Sequence, residues 1–339
     1  MIKHISKMGK YLKEFATHTQ YSAYITGQGK ILPNVSLCDD DNEVHYNKWV
    51  ETRLVAKFNV TSTSSAINIM GAGNYIPPEL NTESYFSEIE IDGVVQPSVV
   101  SSYTFDTIGE HIVKYTLVDT TSIDSYSFSH CTDITSVTIP NSVTDIENGA
   151  FQYLSGLTSI IIPDSVTSIS GNAFYECTSL TSVTIPDSVT SIGTSAFGGC
   201  SSLTSIVVDS GNTIYDSRNN CNAIIETATN TLIAGCNNTI IPNSVTTIGS
   251  YAFRNCSSLT SVTIPNSVTT IDTYPFNGCS GLTSITSLCS TAPTIASNTF
   301  QYIKANGTLY VPTGATGYDV WMRSSAYYLG YYNWTKVEQ

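Results

Sequence analysis

The sequence predicts a mainly β protein whose central part is a solenoid of short repeats. From Ser122 to Leu288 the chain repeats itself every 23 residues, with copies opening at positions 122, 145, 168, 191, 247 and 270. Within a copy the constant positions are mostly apolar and the variable ones polar. A fixed period of this length indicates coils that bury their apolar sides against one another.

Each copy contains the pieces of one coil. In the second copy Leu157, Ile160 and Ile162 follow an L-x-x-I-x-I pattern, which predicts a strand. Alternation places Ile160 and Ile162 inward and Ser159 and Ile161 outward. A proline follows and ends the pairing, because it has no N–H to donate. The S-V-T-x-I stretch predicts a second short extended piece, and Ala-Phe predicts a turn that buries the ring.

The run A-F-x-x-C-x-x-L-T-S-V-T-I-P-x-S-V-T-x-I-G, complete from Ala173 to Gly193, resembles the BspA-type (treponemal-type) leucine-rich repeat. The match covers about half of the chain. The resemblance implies a leucine-rich-repeat solenoid of bacteroidete or bacteroidete-phage origin. It also implies adhesion and protein binding rather than catalysis.

Most of the nine cysteines share one repeat position. The second copy has Leu154 there, so the position is an apolar core slot, and a free cysteine suits it as a small hydrophobe. Cys221 and Cys236 lie elsewhere, and whether they pair depends on the redox compartment. No C-x-x-C pair supports a zinc site, and we expect no metal or cofactor. The cysteines of the repeat slot are Cys131, Cys177, Cys200, Cys256 and Cys279.

An insertion, residues 209–238, interrupts the fourth copy. Its runs A-I-I-E-T and N-T-L-I-A-G predict a hairpin, and the segment resembles an island common in the same family. A widened coil is the favoured interpretation. A protruding binding loop that uses Tyr215 and Arg218 is the alternative, since loops often carry function.

Residues 291–339 are predicted to cap the solenoid. The T-L-Y-V-P stretch and the tyrosines and tryptophans after it resemble the closing coil of the family. Large rings cover an open core efficiently, so capping is favoured over the stacking of sugars. The aromatic residues concerned are Trp321, Tyr327, Tyr328, Tyr331, Tyr332 and Trp334.

Two further units are predicted upstream. Residues 51–121 contain alternating apolar and polar runs between turn residues, which predicts a small immunoglobulin-like β domain. Residues 1–50 are predicted to be a docking or oligomerisation segment. It would begin with an amphipathic helix, because apolar residues from Ile2 to Phe15 fall at helical spacing between lysines.

The rest of the first 50 residues bears on origin. No apolar run of signal-peptide length follows the lysines, and no transmembrane segment is expected. A P-N-V-S stretch, an acidic stretch and V-H-Y-N together resemble the amino-terminal segment of bacteroidete phage structural proteins. The acidic stretch Asp39–Glu43 is interpreted as a solvated turn, because it lacks the glycine and glutamate spacing of a calcium loop.

Charge and motifs exclude several functions. The net charge is −13, and residues 122–290 contain no lysine, so nucleic acid is not an expected ligand. The histidines are scattered, and the chain has no H-E-x-x-H, G-x-S-x-G or phosphate-loop motif. The sequence therefore predicts a protein that is not an enzyme.

The first functional hypothesis is a phage virion component, displaying the solenoid on the virion surface to bind a protein or glycan of a host or mucosal surface. The alternative is a bacterial cell-surface or extracellular adhesin, which would need a start upstream of Met1. A second alternative is a structural spacer. The candidate contacts are outward strand positions, the insertion and the aromatic end: Ser159, Ile161, Ser182, Thr184, Ser205, Tyr215, Arg218, Trp321, Tyr327, Tyr328, Tyr331 and Tyr332.

Overall fold

A computed structural model describes residues 53–71, 81–296 and 298–339, together with the backbone of four strands nearer the amino terminus. The chain divides into two compact units, residues 1–51 and 52–339. The strands of the first unit are β1 (Ile2–Ile5), β2 (Leu12–Phe15), β3 (Asn34–Leu37) and β4 (Val44–Asn47).

The first unit corrects the expected amphipathic helix. β1 pairs antiparallel with β2, with Ile2 opposite Phe15 and Ile5 opposite Leu12, and β3 pairs antiparallel with β4. A glycine at position 9 and the β-branched isoleucines lower helix propensity, and a lone short helix is only marginally stable in water. The acidic stretch from Asp39 to Glu43 lies outside the described residues.

The second unit begins with a β-rich segment. β10 pairs antiparallel with β5 on one side and with β7 on the other, and β7 continues into a hairpin with β8. β6 and β9 form a separate short pair, and Thr82–Tyr85 is a 3-10 turn. The strands are β5 (Arg53–Val60), β6 (Ile67–Asn68), β7 (Phe86–Ile91), β8 (Val94–Val95), β9 (Ser102–Tyr103) and β10 (Gly109–Leu117).

The solenoid that follows has two ladders of strands. The longer strands are β12 (Ile134–Thr138), β14 (Ser159–Ile161), β16 (Ser182–Ile185), β18 (Ser205–Val208), β23 (Ser261–Ile264), β25 (Ser284–Ser287), β27 (Thr308–Val311) and β28 (Thr335–Glu338). The shorter strands are β11 (Ser122–Ile123), β13 (Asp145–Ile146), β15 (Ser168–Ile169), β17 (Ser191–Ile192), β22 (Thr247–Ile248), β24 (Thr270–Ile271) and β26 (Thr294–Ile295). Pairing between coils is parallel and in register, as Ser182 opposite Ser205 illustrates.

The predicted strand orientation is confirmed. Ile160 and Ile162 are buried, whereas Ser159 is exposed and Ile161 is 78% exposed. In the second copy the strand ends two residues before Pro163, and the short strand β13 precedes the buried Phe151.

The β-rich segment does not form an independent sandwich. β5 pairs antiparallel with β12, so six strands make one sheet in the order β14, β12, β5, β10, β7, β8. Leu54, Ala56 and Phe58 alternate inward along β5 and belong to the same buried cluster as the first coils. The expected immunoglobulin-like domain is therefore corrected: these residues extend the solenoid sheet and cover its first coil.

A histidine holds the turn between β7 and β8. His111 is buried, and its Nδ1 donates to Asp92 Oδ2 at 2.6 Å while its Nε2 donates to the Thr107 carbonyl at 3.0 Å. Asp92 Oδ1 also accepts from the Ile112 N–H at 2.9 Å. Burial alone would lower the pKa of His111, but the hydrogen bonds to Asp92 and Thr107 and the Asp92 charge raise it above its usual 6.5. Donation from both nitrogens requires the imidazolium form.

Phenylalanines stack through the core from coil to coil. Rings from Phe128 to Phe197 lie nearly parallel with centroids 5.3–5.5 Å apart. A second column runs from Phe253 to Phe300 and ends on Trp321, whose ring lies 5.4 Å from that of Phe300. The buried apolar residues accordingly fall into a first core group, from Leu54 to Cys236, and a second, from Cys221 to Trp334.

The insertion lies between the two columns and is part of the solenoid. Its hairpin buries Ile224, Ile225 and Leu232, and β21 pairs parallel with β22 of the next coil. A Cβ at Gly235 would overlap the Phe253 ring, so only glycine fits against the second column. The favoured widened coil agrees with this packing. Its elements are β19 (Tyr215–Asp216), a 3-10 turn (Arg218–Asn220), β20 (Ala223–Glu226) and β21 (Thr231–Gly235).

The carboxyl-terminal end closes the second core group. Trp321 and Trp334 are buried, and their indole N–H groups donate to the Pro293 and Lys304 carbonyls at 3.0 and 2.7 Å. A 3-10 turn (Leu329–Tyr332) precedes β28. Nowhere in the described part of the chain does a helix reach the length and hydrophobicity needed to cross a bilayer.

The repeat-slot cysteines are buried, as expected of an apolar slot, and Leu154 is equally buried there. Three of their thiols also donate to the phenylalanine carbonyl of the preceding coil, with Cys177 Sγ lying 3.1 Å from the Phe151 oxygen. Burial raises the pKa of Cys177 to about 12. Cys221 and Cys236 are free thiols.

Candidate functional site

The outward residues of the long strands form one surface of that ladder, which we call the sheet face. Ser159, Ser182, Thr184 and Ile161 are exposed, and Ser205 is half-buried. Asn238, at the end of the insertion, and Ile240 just after it occupy the corresponding positions between β18 and β23. This face carries hydroxyl, amide and aliphatic groups, but it has none of the tryptophan, tyrosine or arginine contacts typical of binding hot spots until Tyr310.

The two insertion candidates have structural partners. Tyr215 is only 5% exposed, and its hydroxyl accepts from the Ile192 N–H at 3.1 Å. Arg218 is half-buried, forms an ion pair of 2.6 Å with Asp216, and donates to Asn230 at 2.8 Å. Tyr215 is therefore corrected as a surface contact, because its ring packs in the core where the insertion meets β17.

The aromatic end separates into a buried and an exposed set. Trp321 is fully buried and is corrected as a binding residue, since its ring ends the phenylalanine column. Tyr327, Tyr328 and Tyr332 are half-buried, and Tyr331 is exposed.

A further surface emerges that the repeat pattern alone did not indicate. Each coil varies at three positions around its buried phenylalanine: two residues before it, one after it and two after it. We call these positions together the variable corner. From coil to coil the first reads Y, G, N, S, Y, Y, N; the second reads S, Q, Y, G, R, N, Q; and the third reads H, Y, E, G, N, G, Y.

The backbone of the variable corner is left-handed at its first and third positions, which lie two residues before and two residues after the buried phenylalanine. Positive φ occurs at nearly all of these residues, whether they are glycine or not. Tyr and Glu rarely adopt such angles, and the conformation costs about 1–3 kcal/mol. Strain of this kind persists only where the surrounding fold enforces it, and it concentrates at functional sites. The residues concerned are Tyr126, Gly149, Asn172, Ser195, Tyr251, Tyr274, His130, Tyr153, Glu176, Gly199, Asn255, Gly278 and Tyr302.

Side chains of the variable corner contact one another along the solenoid axis. The His130 ring stacks on Tyr153 at 4.3 Å, and Tyr153 meets Tyr175 edge-on at 5.5 Å. Farther along, Tyr251 stacks on Tyr274 at 5.2 Å. Asn298 donates to the Tyr274 hydroxyl at 2.7 Å.

Arg254 connects the corner residues before the insertion with those after it, and we call the resulting row of side chains the aromatic ridge. The fourth coil has Gly198 and Gly199 at the corner, so side chains of the third coil contact side chains of the fifth. The Arg254 guanidinium lies over the Tyr175 ring at 4.9 Å and over the Tyr251 ring at 5.3 Å, within cation–π range. Asn255 donates to Glu176 Oε1 at 2.7 Å. A Cβ at Gly199 would lie 2.6 Å from the Glu176 carboxyl carbon, so a side chain there would displace the Glu176 carboxylate.

The corner therefore carries a row of half-buried aromatic rings around the buried Tyr175 and the Arg254 cation. Burial raises the pKa of Tyr175 to about 12, against the opposing charge of Arg254, so this phenol stays protonated. Within the described residues, no group of three or more His, Cys, Asp or Glu side chains is placed to hold a metal ion. Comparing the positions that differ between copies, rather than those that agree, is the signal that locates this surface from sequence.

Comparisons with known proteins bear on the family. The model of the BspA type leucine rich repeat region matches in six copies, over residues 121–234 and 223–322. No curated protein sequence matches the chain.

Solved structures of bacterial leucine-rich-repeat proteins are similar over part of the chain. A leucine-rich cell surface protein from Faecalibacterium prausnitzii is 28% identical, with 61% of this chain and 60% of that protein covered at a TM-score of 0.43. A protein from Eubacterium ventriosum is 21% identical, with 57% and 64% covered at a TM-score of 0.40. One from Bacteroides ovatus is 21% identical, with 69% of each chain covered at a TM-score of 0.36. The chain thus spans less than two thirds of the first two proteins.

The family model matches more than half of the chain. The chain therefore belongs to the BspA-type leucine-rich-repeat family.

Proposed function

We propose that this chain is a non-enzymatic recognition protein of the bacterial surface, and that its variable corner contacts the partner. The single observation that carries the proposal is the strained aromatic ridge of the corner. Tyrosine and arginine dominate binding hot spots, and rigid rings lose little conformational entropy on binding. The outward rows of the sheet face support this choice, because they lack such anchors until Tyr310.

Glycine substitution tests the corner with little risk to the fold, since glycine already occupies both flanking positions in other coils. The triple variant His130→Gly, Tyr153→Gly and Tyr274→Gly removes three rings while keeping their backbone angles accessible. The matched control is Ser159→Ala, Thr184→Ala and Thr263→Ala on the sheet face. Binding of the purified full chain to epithelial cells and to immobilised matrix proteins is then measured for each.

We expect the corner variant to bind at least about tenfold more weakly, because three contacts worth about 0.5–1.5 kcal/mol each are lost. The control should bind as the parent does. If only the sheet-face control loses binding, the binding site lies on that face. If both variants bind as the parent does, the result favours a solenoid that acts only as a structural spacer.

Family membership favours the bacterial surface over the virion, which was the first hypothesis from sequence. Fractionation of the source cells with an antibody against the solenoid distinguishes the two. We expect the chain in the surface fraction. Its recovery from purified virions by mass spectrometry would instead support display on a phage.

A further inference from the structure

Four tyrosines cluster on the surface of the capping end. Tyr302 is 64% exposed and Tyr331 is 53% exposed, and Tyr327 and Tyr332 are half-buried beside them. We call these four the tyrosine cluster. The other three phenols lie close enough to that of Tyr332 to raise its pKa, although burial is the larger cause.

Of the four rings, only Tyr332 packs against the second core group, and the cap does not need the exposed rings of Tyr302 and Tyr331. Trp321, Trp334, Tyr318 and Leu329 are buried and close the second core group. The Trp334 ring fills the space above Gly307, where any Cβ would overlap it. Capping, which accounts for the tryptophans, therefore leaves the exposed tyrosines unexplained.

Two members of the cluster adopt the left-handed backbone conformation. Tyr302 has φ 59° and Tyr327 has φ 74°. Tyr302 occupies the corner position that Gly199 and Gly278 fill in other coils, so the backbone itself favours glycine there. Neither burial nor local conformation selects an exposed tyrosine at this position, and such strain is a feature of functional sites.

Two rings of the tyrosine cluster are perpendicular to each other. Tyr331 and Tyr332 have centroids 5.0 Å apart and planes at 89°. The Tyr332 hydroxyl accepts from the Tyr302 N–H at 2.9 Å, which fixes the second ring and leaves its own proton to donate. One ring can lie under the C–H face of a sugar while the other borders its hydroxyl edge, because tyrosine offers an apolar face and a polar tip.

Charge argues for a neutral ligand. The described charged residues of this end carry both signs, and Lys336 already pairs with Glu338 at 3.4 Å. Arg323 lies over the Tyr328 ring at 5.8 Å. No concentration of one sign favours a polyanion or polycation. The charged residues are Lys304, Asp319, Arg323, Lys336 and Glu338.

We propose that the tyrosine cluster binds a pyranose ring of a neutral oligosaccharide. This inference rests on the proposed role in surface recognition and names one class of ligand for it. The test is native electrophoresis of the full chain through gels containing laminarin, xyloglucan, galactomannan or desialylated mucin. Retardation in each gel gives the affinity.

At least one of these glycans should retard the parent chain. The double variant Tyr302→Gly and Tyr331→Ala should lose about tenfold in affinity, whereas Tyr331→Phe, which keeps the stacking face, should stay within about threefold. Tyr310→Ala, on the sheet face of the same end, is the matched control and should bind as the parent does.

The inference is overturned if none of the four glycans retards the chain, or if the double variant binds them as the parent does. The three corner rings of the earlier test lie outside this cluster, so the two ideas fail separately. If the corner variant loses cell binding while the parent chain binds none of the four glycans, the proposed function stands and only the glycan inference fails. Loss of a protein ligand alone in the double variant would assign the cluster to a protein partner.

Discussion

At the scale of single residues, the cysteine slot shows how a reactive side chain is made inert. Burial raises the pKa of Cys177 to about 12, and its thiol proton is donated to the Phe151 carbonyl. Leucine fills the same slot in the second copy without loss of burial. The slot is thus defined by volume and apolarity, and the S–H···O contact is an addition that the sequence pattern does not reveal.

We therefore predict that Cys177 of the native chain resists alkylation. The thiolate is the reacting species, so at pH 8 Cys177 should react with iodoacetamide at least about a hundredfold more slowly than an exposed cysteine. The variant Ser182→Cys supplies that exposed reference on the sheet face. Peptide mapping by mass spectrometry measures both rates, and similar rates in the folded chain would contradict the buried slot.

At the scale of elements, the turn between β7 and β8 depends on protonation. The folded pKa of His111 is raised above 6.5, so its contribution to stability is complete below pH 6.5 and is lost as pH rises through the folded pKa. Asp92 and the Thr107 carbonyl are the groups that the ring faces. His130 acts in the opposite sense, because burial lowers its pKa and protonation there opposes folding.

The corresponding prediction compares His111→Gln with the parent. Urea unfolding followed at intervals from pH 6 to pH 9 should show the parent losing stability with rising pH more steeply than the variant, because glutamine has no proton to release. The control His130→Gly should leave the His111 dependence in place. Equal slopes for the parent and His111→Gln would refute the role of the imidazolium.

Several elements could be predicted because their cause is local. The alternation that buries Ile160 and Ile162 is visible in four residues, and in most coils a proline after the strand marks its end. The pairing of β5 with β12 could not be predicted, since it joins residues about 80 positions apart and any alternating strand would satisfy the pattern. The helix expected from Ile2 to Phe15 failed because its spacing also suits two paired strands with Ile2 opposite Phe15.

The candidate site was only partly accessible from sequence. The aromatic end was identified, but composition alone could not separate Trp321, which closes the core, from Tyr331, which is exposed. The variable corner could not be predicted from the repeat pattern, because that pattern consists of the constant positions and the corner residues differ from copy to copy. Left-handed backbone angles at residues such as Tyr153 have no signature in a single copy, and they become apparent only when glycine and tyrosine alternate at one position.

At the scale of the whole molecule, the insertion divides the core. The first and second core groups each have a phenylalanine column, and the fourth coil meets the next through the corner and the hairpin. In a stack of coils, stability is approximately a sum over coils and their nearest neighbours. A destabilising substitution should therefore increase local unfolding mainly within its own core group.

Two matched substitutions test this division. Leu157 and Leu282 are fully buried, one in each group, and truncation of either to alanine should cost about 2–5 kcal/mol. We expect Leu282→Ala to speed amide hydrogen exchange mainly in residues 247–311, and Leu157→Ala mainly in residues 123–190. Equal acceleration in both regions for either variant would mean that the solenoid unfolds as one unit.

The sheet that residues 53–117 share with the first coils also affects how copies of the chain can associate. A stack of parallel strands presents an unpaired edge at each end, and such edges invite other chains to add on. Here the outermost strand at one end is the two-residue β8, followed by Pro97, and at the other end it is β28, which carries Lys336 and Glu338. Short length, proline and charge all discourage edge-to-edge association. We therefore expect further copies of the chain to be discouraged from pairing with either end of the long-strand ladder.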